Sequence, residues 1–324
     1  MGKRKERPTE LENSASRSLD ALSTRDILRL LNREDHRVAP AVRSQILQIT
    51  RAVEIIVEGL EKGGRLVYVG AGTSGRLGVA DAAECIPTFG TTRVIALMAG
   101  APKAMFQPAE GLEDDPRLAR RDLRKHKINR KDVVVAISAG GDTIYPLAAL
   151  QEAGKRGART IAVSSNPRGK ICRLAEVAIV PRVGPEVIAG STRMKAGTSQ
   201  KLVLNMLSTA SMVRWGRVLG NRMIHMKLGN RKLMQRARVI LMRTTGASAP
   251  GARRTLEASG RNLPVAMVML ARKVSREKAQ TLLGGESQHE ALRSILRPEV
   301  AAGPSPRRSA RGTTRKKRKK AVRG

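Results

Sequence analysis

Five short apolar runs constrain this chain more than any other feature: residues 66–69, 93–98, 133–137, 160–164 and 177–180. Each is rich in Val, Ile, Leu or Ala and almost unbroken by polar residues, with no apolar–polar alternation. Strands with that pattern are buried on both faces, as in a parallel sheet covered by helices. Helix-favouring stretches separate most of them, so the expected core is a doubly wound α/β sheet. Ahead of it, Ser23 and Asp26 mark a helix start. Val42, Ile46, Ile49, Val53, Ile56 and Leu60 then step by four and three along a second helix that Gly63 and Gly64 stop. After the sheet, residues 194–215 read as one long helix with Leu202, Met206, Thr209 and Val213 on one side. Beyond Met226, short basic helices divided by Gly246, Pro250, Gly260 and Gly284 suggest a small all-helical domain reaching about Leu296.

Composition limits the alternatives. With 324 residues the chain can form one large α/β domain and a smaller appendage. Aromatic residues make up only 2%, so the core must be aliphatic. The formal net charge of +35 comes partly from the end of the chain, where Arg307, Arg308, Arg311, Arg315 and Arg323 stand among Pro, Ser, Gly and Lys with no acid after Glu299. Such a low-complexity block is expected to be a solvated, disordered tail, with weak polyanion contact as its secondary role. It lacks the interleaved aromatics of a nucleic-acid-binding surface. Cys85 and Cys172 give neither metal spacing nor a disulfide framework, so no metal is expected. The first twelve residues are polar and basic without the apolar stretch of a signal peptide, and no apolar run reaches membrane-spanning length. The expectation is a soluble, cytoplasmic protein.

In open parallel sheets, ligands collect at the carboxyl ends of the strands. The first strand ends in Gly70, Ala71, Gly72, Thr73, Ser74 and Gly75, a G-x-G-x-x-G pattern that opens a helix. A dinucleotide site would need an acid about 20 residues on, at the end of the second strand. That strand runs instead into Ala99, Gly100 and Ala101, and its next acid is Glu110. What remains is an anion cradle: glycines admit backbone amides, hydroxyls donate, and the helix start is positive. Ser138 to Thr143 form a second such loop and Ser164, Ser165 and Asn166 a third. Two loops converging on one pocket would hold a phosphomonoester through Gly72, Thr73, Ser74, Ser138 and Thr143, although any one of them is also an ordinary strand-to-helix turn. The acids are less telling. Glu84 falls at the far end of the helix after the first loop, where Pro87 and Gly90 suggest an irregular turn. Glu110, Glu113, Asp114 and Asp115 precede a helix, where acids ordinarily cap. Glu186 stands just before Ser191, Thr192, Arg193, Met194 and Lys195. By spacing alone each is a cap or a salt-bridge partner.

The motifs together carry more. Gly190, Ser191, Thr192, Arg193, Met194, Lys195, Ala196 and Gly197, continuing to Thr209, resemble the signature of the N-acetylmuramic acid 6-phosphate etherases. So do the run from Gly70 to Gly78, the run from Asp81 to Cys85 with Glu84 in it, and Pro87 to Gly90. The resemblance extends over about residues 22–296. It implies a sugar-isomerase (SIS) domain of flavodoxin-like topology, followed by a small UBA-like helical domain. The organisation expected is therefore an N-terminal helical segment at 1–50, the SIS domain at 51–226, the helical domain at 227–297 and the basic tail at 298–324. The resemblance also implies a homodimer, no cofactor, and an amino-sugar phosphate as substrate. The implied reaction releases D-lactate from N-acetylmuramic acid 6-phosphate, leaving N-acetylglucosamine 6-phosphate, in cell-wall recycling. It assigns Glu84 as the acid and Glu113 as the base, with Glu186 a lesser candidate for the ring-opening step. Ser191 joins the substrate-binding set; by charge, Arg193 or Lys195 would meet the lactyl carboxylate or the phosphate. The chain departs from the family pattern at the second loop, where Gly140 replaces a serine and Asp142 an arginine. Ile86 replaces a proline and His225 an aspartate. Asp142 favours an alternative, a non-catalytic sugar-phosphate-sensing regulator on the same fold. Retention of Glu84 and Glu113 speaks against it.

Overall fold

The computed structural model describes residues 7–108, 111–284 and 288–296. The basic tail and Glu110 lie outside the described residues. Two short helices, α1 (Thr24–Asp35) and α2 (Val38–Arg43), lead into α3 (Ile46–Glu61). There follow β1 (Leu66–Gly70), α4 (Gly72–Phe89), β2 (Val94–Met98), α5 (Pro116–Lys125) and β3 (Val133–Ile137). The sheet is completed through α6 (Ile144–Lys155), β4 (Arg159–Val163), α7 (Lys170–Leu174) and β5 (Val177–Ile179). The long α8 (Lys195–Arg214) then crosses back, and a two-residue hairpin, β6 (Val218–Leu219) and β7 (Arg222–Met223), precedes five C-terminal helices.

All five strands of the main sheet are parallel, in the order β2-β1-β3-β4-β5. This is the flavodoxin-like doubly wound topology. The near-continuous apolar runs have the expected cause. Leu66 and Tyr68 pack toward α3, α4 and α8, whereas Val67 and Val69 pack toward α5 and α6. Val67, Val69, Val134 and Ile161 are fully buried, and each such side chain stabilises the fold by about 1.5–3 kcal/mol relative to exposure.

Two local expectations are corrected. The apolar stripe from Val42 to Leu60 is not one helix: it breaks at Ser44 and Gln45 between α2 and α3. Gln45 leaves helical geometry and its side-chain oxygen accepts the N–H of Val180 at 2.9 Å, just past the edge strand β5. The second correction concerns Pro87, which does not end α4. The helix runs through it to Phe89 and stops at Gly90, whose positive φ of 63° lets its N–H reach the carbonyl of Ile86. A side chain at Gly90 would collide with the carbonyl of His225. Glu84 therefore sits on regular helix.

The C-terminal helices are α9 (Arg231–Thr245), α10 (Ala249–Ala258), α11 (Leu263–Arg272), α12 (Arg276–Leu283) and α13 (Gln288–Leu296). They enclose a core of their own, including Leu241, Leu256, Leu263, Met267, Leu283 and Leu292. Asn230, Ser248, Asn262 and Ser275 cap the first four by accepting backbone N–H groups, each worth about 1 kcal/mol.

Candidate functional site

The strand order reverses between β1 and β3, so the loops leaving these neighbours diverge to helices on opposite faces of the sheet. Gly70 pairs in register with Ile137, and both loops start from one level. Such a switch point is where open α/β sheets bind ligands. In the first loop, Gly70 and Gly75 are required by close approach. A Cβ on Gly75 would lie 2.6 Å from Met98 Cγ and 2.9 Å from the Gly70 carbonyl. Gly72 is needed for conformation instead: its φ is +52° and nothing lies within 4 Å of a Cβ placed there. Thr73 and Ser74 form the first turn of α4, which no side chain caps. Its amides and dipole face the switch point, suited to an anion. Ser74 donates to Gln200 Oε1 at 3.0 Å, tying this turn to α8.

The second loop is braced internally. Ser138 Oγ and Thr143 Oγ1 are 2.9 Å apart, and Ser138 also accepts the Gly141 N–H at 3.1 Å. No side chain caps α6 either. The third loop supports the second: Ser164 donates to the Ala139 carbonyl at 3.0 Å and Asn166 to the Gly140 carbonyl at 2.9 Å. Asp142 does not lie loose beside the cradle. Its Oδ1 accepts the Lys170 N–H at 3.0 Å and its Oδ2 lies 3.2 Å from Arg7 Nε.

The two glutamates assigned by resemblance occupy different clefts of one chain. Glu113, in a single 3-10 turn before α5, joins Ala71, Gly72, Arg76, Met98 and Ala99 around a cleft of about 160 Å³. It therefore faces the first loop. Arg76 holds the cleft's far side by donating to the Met105 carbonyl at 3.1 Å. Asp115, not Glu113, caps α5, accepting the Arg117 N–H at 2.8 Å. Glu84 instead lines a cleft of about 350 Å³ with Leu77, Ala80, Asp81, Lys201, Leu204 and Asn205. Twelve residues of helix separate it from Gly72, or about 18 Å at 1.5 Å per residue.

Glu186 and Lys195 are both engaged within the chain. Glu186 is buried and accepts the N–H groups of Lys195 and Ala196 at 3.0 and 2.9 Å, capping the otherwise bare start of α8. Burial pushes its carboxyl above the usual carboxylate range, against the opposing pull of those two N–H groups. Lys195, offered by charge as an alternative to Arg193 for the lactyl carboxylate or the phosphate, is 1% exposed, and its Nζ donates to Glu34 Oε2 at 2.6 Å. Glu34 also accepts from Asn13 at 2.8 Å and lies 3.4 Å from Arg37. The pairing has a plain cause: α1 brings Glu34 against the start of α8. Ser191 lies partly exposed in the turn before α8, its N–H donating to the Ile188 carbonyl at 3.0 Å, and Arg193 is exposed nearby.

A polar cluster beneath Glu84 escaped the sequence reading. Asp81 accepts from Tyr68 at 2.9 Å and from Ser208 at 3.1 Å. With its amide oriented to satisfy both neighbours, Asn205 donates to Asp81 at 3.2 Å and accepts from Lys201 at 2.8 Å. Burial raises the Asp81 carboxyl despite these hydrogen bonds and raises the Cys85 thiol to about 12. The available signal was helical spacing: Lys201, Asn205 and Ser208 recur on one side of α8. Among the described residues no cluster of three or more His, Cys, Asp or Glu side chains is placed to hold a metal ion. No described helix is long and apolar enough to cross a membrane.

A family model described as "SIS domain" matches residues 34–165. An N-acetylmuramic acid 6-phosphate etherase of Edwardsiella ictaluri is 46% identical over 90% of this chain and 96% of its own. Those of Clostridium botulinum and Pasteurella multocida are 43% and 45% identical over 89% and 88% of this chain, each aligned over 96% of its own length. The chain belongs to the N-acetylmuramic acid 6-phosphate etherase family.

Proposed function

We propose that this protein is a lyase that cleaves the D-lactyl ether of N-acetylmuramic acid 6-phosphate, adding water to give N-acetylglucosamine 6-phosphate and D-lactate. The observation that carries this reading is the cleft in which Glu113 faces the phosphate-type loop at Gly72. In the ring-opened sugar the C1 aldehyde acidifies the C2 proton. Glu113 takes that proton, lactate leaves from C3 as Glu84 protonates its ether oxygen, and water adds to C3 of the unsaturated aldehyde while C2 is reprotonated. One base and one acid, each regaining its starting form when water adds and C2 is reprotonated, suffice for this cycle, and no cofactor enters it. The phosphate is held by the first-turn amides and hydroxyls at Gly72, Thr73 and Ser74, and by Ser138 and Thr143. Glu186 acts by capping the start of α8 beside Ser191 and Arg193. Lys201, beside Glu84, complements the charge of the lactyl carboxylate. On this reading the enzyme works in the cytoplasm on amino sugar recovered from peptidoglycan, with the SIS body spanning 51–226 and the UBA-like helices 227–297.

The separation of Glu84 from Glu113 supports a homodimer in which each site takes one glutamate from each copy. The groove between α3 and α8 suits a second copy. Its floor is apolar, with Ile46, Ile49, Val53, Val57, Leu202 and Met206, while Glu54, Glu58 and Glu61 on one rim oppose Arg214 on the other. A two-fold axis would set each acidic rim against a basic one. The test is complementation. Glu84→Gln and Glu113→Gln, each inactive in lactate release, are co-expressed; a shared site restores about one quarter of wild-type activity, since random pairing makes half the dimers mixed and each has one intact site. A mixture that stays inactive would contradict the sharing, and a wild-type protein that releases no lactate would contradict the activity.

A further inference from the structure

We infer that Arg7 is a phosphate-binding residue of this site, held in place by Asp142. The inference rests on the proposed sugar-phosphate reading of the second loop. An aspartate in an anion cradle is unfavourable if its charge faces the ligand. Here both of its oxygens are engaged elsewhere, Oδ1 by the Lys170 N–H at 3.0 Å and Oδ2 by Arg7 Nε at 3.2 Å. The loop thus gains a guanidinium where it departs from the family pattern by carrying an acid.

The position of Arg7 is set by a built segment rather than by a loose terminus. Residues 7–13 run as a strap between the second loop and the turn before α8. The Arg7 carbonyl accepts the Glu10 N–H at 2.9 Å, closing a turn, and the Thr9 carbonyl accepts the Gly190 N–H at 3.2 Å. Thr9 is 4% exposed, and its hydroxyl oxygen would lie 3.8 Å from a Cβ on Gly140. Asn13 anchors the far end, donating to Glu34 at 2.8 Å and to the Pro185 carbonyl at 3.4 Å.

The guanidinium meets Asp142 through Nε, and the Arg7 side chain is 54% exposed. Beyond Nε the guanidinium carries terminal N–H groups that engage no acceptor among the described residues, and their fork matches phosphate oxygens. Asp142 then neutralises nothing at the ligand; it orients the cation that binds it.

The experiment compares Arg7→Ala, Asp142→Asn and the exchange variant Arg7→Ala/Asp142→Arg, in the full chain. Two quantities are read: KM for the lactyl-ether substrate, and the concentration of inorganic phosphate giving half-maximal thermal stabilisation. Arg7→Ala is expected to raise both by about tenfold or more, the value of a charge-assisted hydrogen bond, with a smaller effect on kcat. Asp142→Asn raises both less, since Arg7 loses its holder but remains. The exchange variant regains most of the loss by returning the cation to the loop itself. Unchanged phosphate binding in Arg7→Ala would overturn the inference, as would a lowered melting temperature without phosphate as the only effect. Failure of the exchange variant to recover phosphate binding while folded would overturn it too. The phosphate titration needs no turnover, so a protein that released no lactate would refute the activity and leave this result readable.

Discussion

Replacing Lys195 by Met should cost folding stability and leave ligand affinity nearly untouched. Lys195 and Glu34 are each 1% exposed at the side chain and 2.6 Å apart. Removing one partner of such a buried pair typically costs about 3–5 kcal/mol because the other charge is left uncompensated. Arg37 still lies 3.4 Å from Glu34 and Asn13 still donates to it, which places the expected loss near the lower end, about 3 kcal/mol. For a body of this size that is a fall in melting temperature of about 6–12 °C. The double variant Lys195→Met/Glu34→Leu removes both charges and should recover most of it, less about 1 kcal/mol for the donor of Asn13 left unpaired. The pH dependence has a definite sign. Burial raises the Glu34 carboxyl, but the hydrogen bonds from Lys195 and Asn13 outweigh it and hold it below its ordinary value of 4.5. Its contribution is therefore complete above that value and fades as pH falls through the lowered folded one. The advantage of wild type over Lys195→Met should narrow in acid. Circular-dichroism melts across pH, with KM measured in parallel, give the comparison. A Lys195→Met protein that melts like wild type but shows a raised KM would refute the buried-pair account and return Lys195 to the ligand.

Gly75→Ala places a Cβ 2.6 Å from Met98 Cγ and 2.9 Å from the Gly70 carbonyl; overpacking of about 1–3 kcal/mol should appear in urea unfolding together with weaker phosphate binding. Tyr145→Phe removes the 2.8 Å bond to Asp122 and should cost about 1 kcal/mol without altering KM. Cys85, buried and with its thiol raised to about 12, should resist iodoacetamide at pH 8 in the native protein and react once it is unfolded, as peptide mass spectrometry would show. With the divided roles proposed for the acids, Glu84→Gln should still exchange the C2 proton of the substrate with solvent, observable by NMR, whereas Glu113→Gln should not. Equal loss of exchange in both variants would contradict that division.

The sheet was legible because parallel strands buried on both faces must be apolar at every position, and each of the five runs became a strand. The glycines and hydroxyls at the strand ends marked candidate anion loops, but the strand order that makes β1 and β3 neighbours is visible only in the structure. Partners distant in sequence were not legible. The break at Gln45 depends on the amide of Val180, the fate of Lys195 on Glu34, and the fate of Asp142 on Arg7; no local pattern announces such pairs. Pro87 misled for a related reason, since tertiary packing around α4 overrides the tendency of proline to end a helix. Glu84 and Glu113 were recognisable only as parts of family motifs. Their spacing alone resembles that of any helix-end or capping acid, and the helix between Gly72 and Glu84 keeps them apart within one chain.

The most direct test of the central claim is the fate of isotopes when the purified protein, without added metal, turns over N-acetylmuramic acid 6-phosphate in D2O enriched in H2(18)O. Elimination followed by water addition puts deuterium at C2 and heavy oxygen at C3 of the amino-sugar product, while the released D-lactate keeps its original ether oxygen. Heavy oxygen in the lactate, or a product without deuterium at C2, would contradict the elimination chemistry assigned to Glu84 and Glu113.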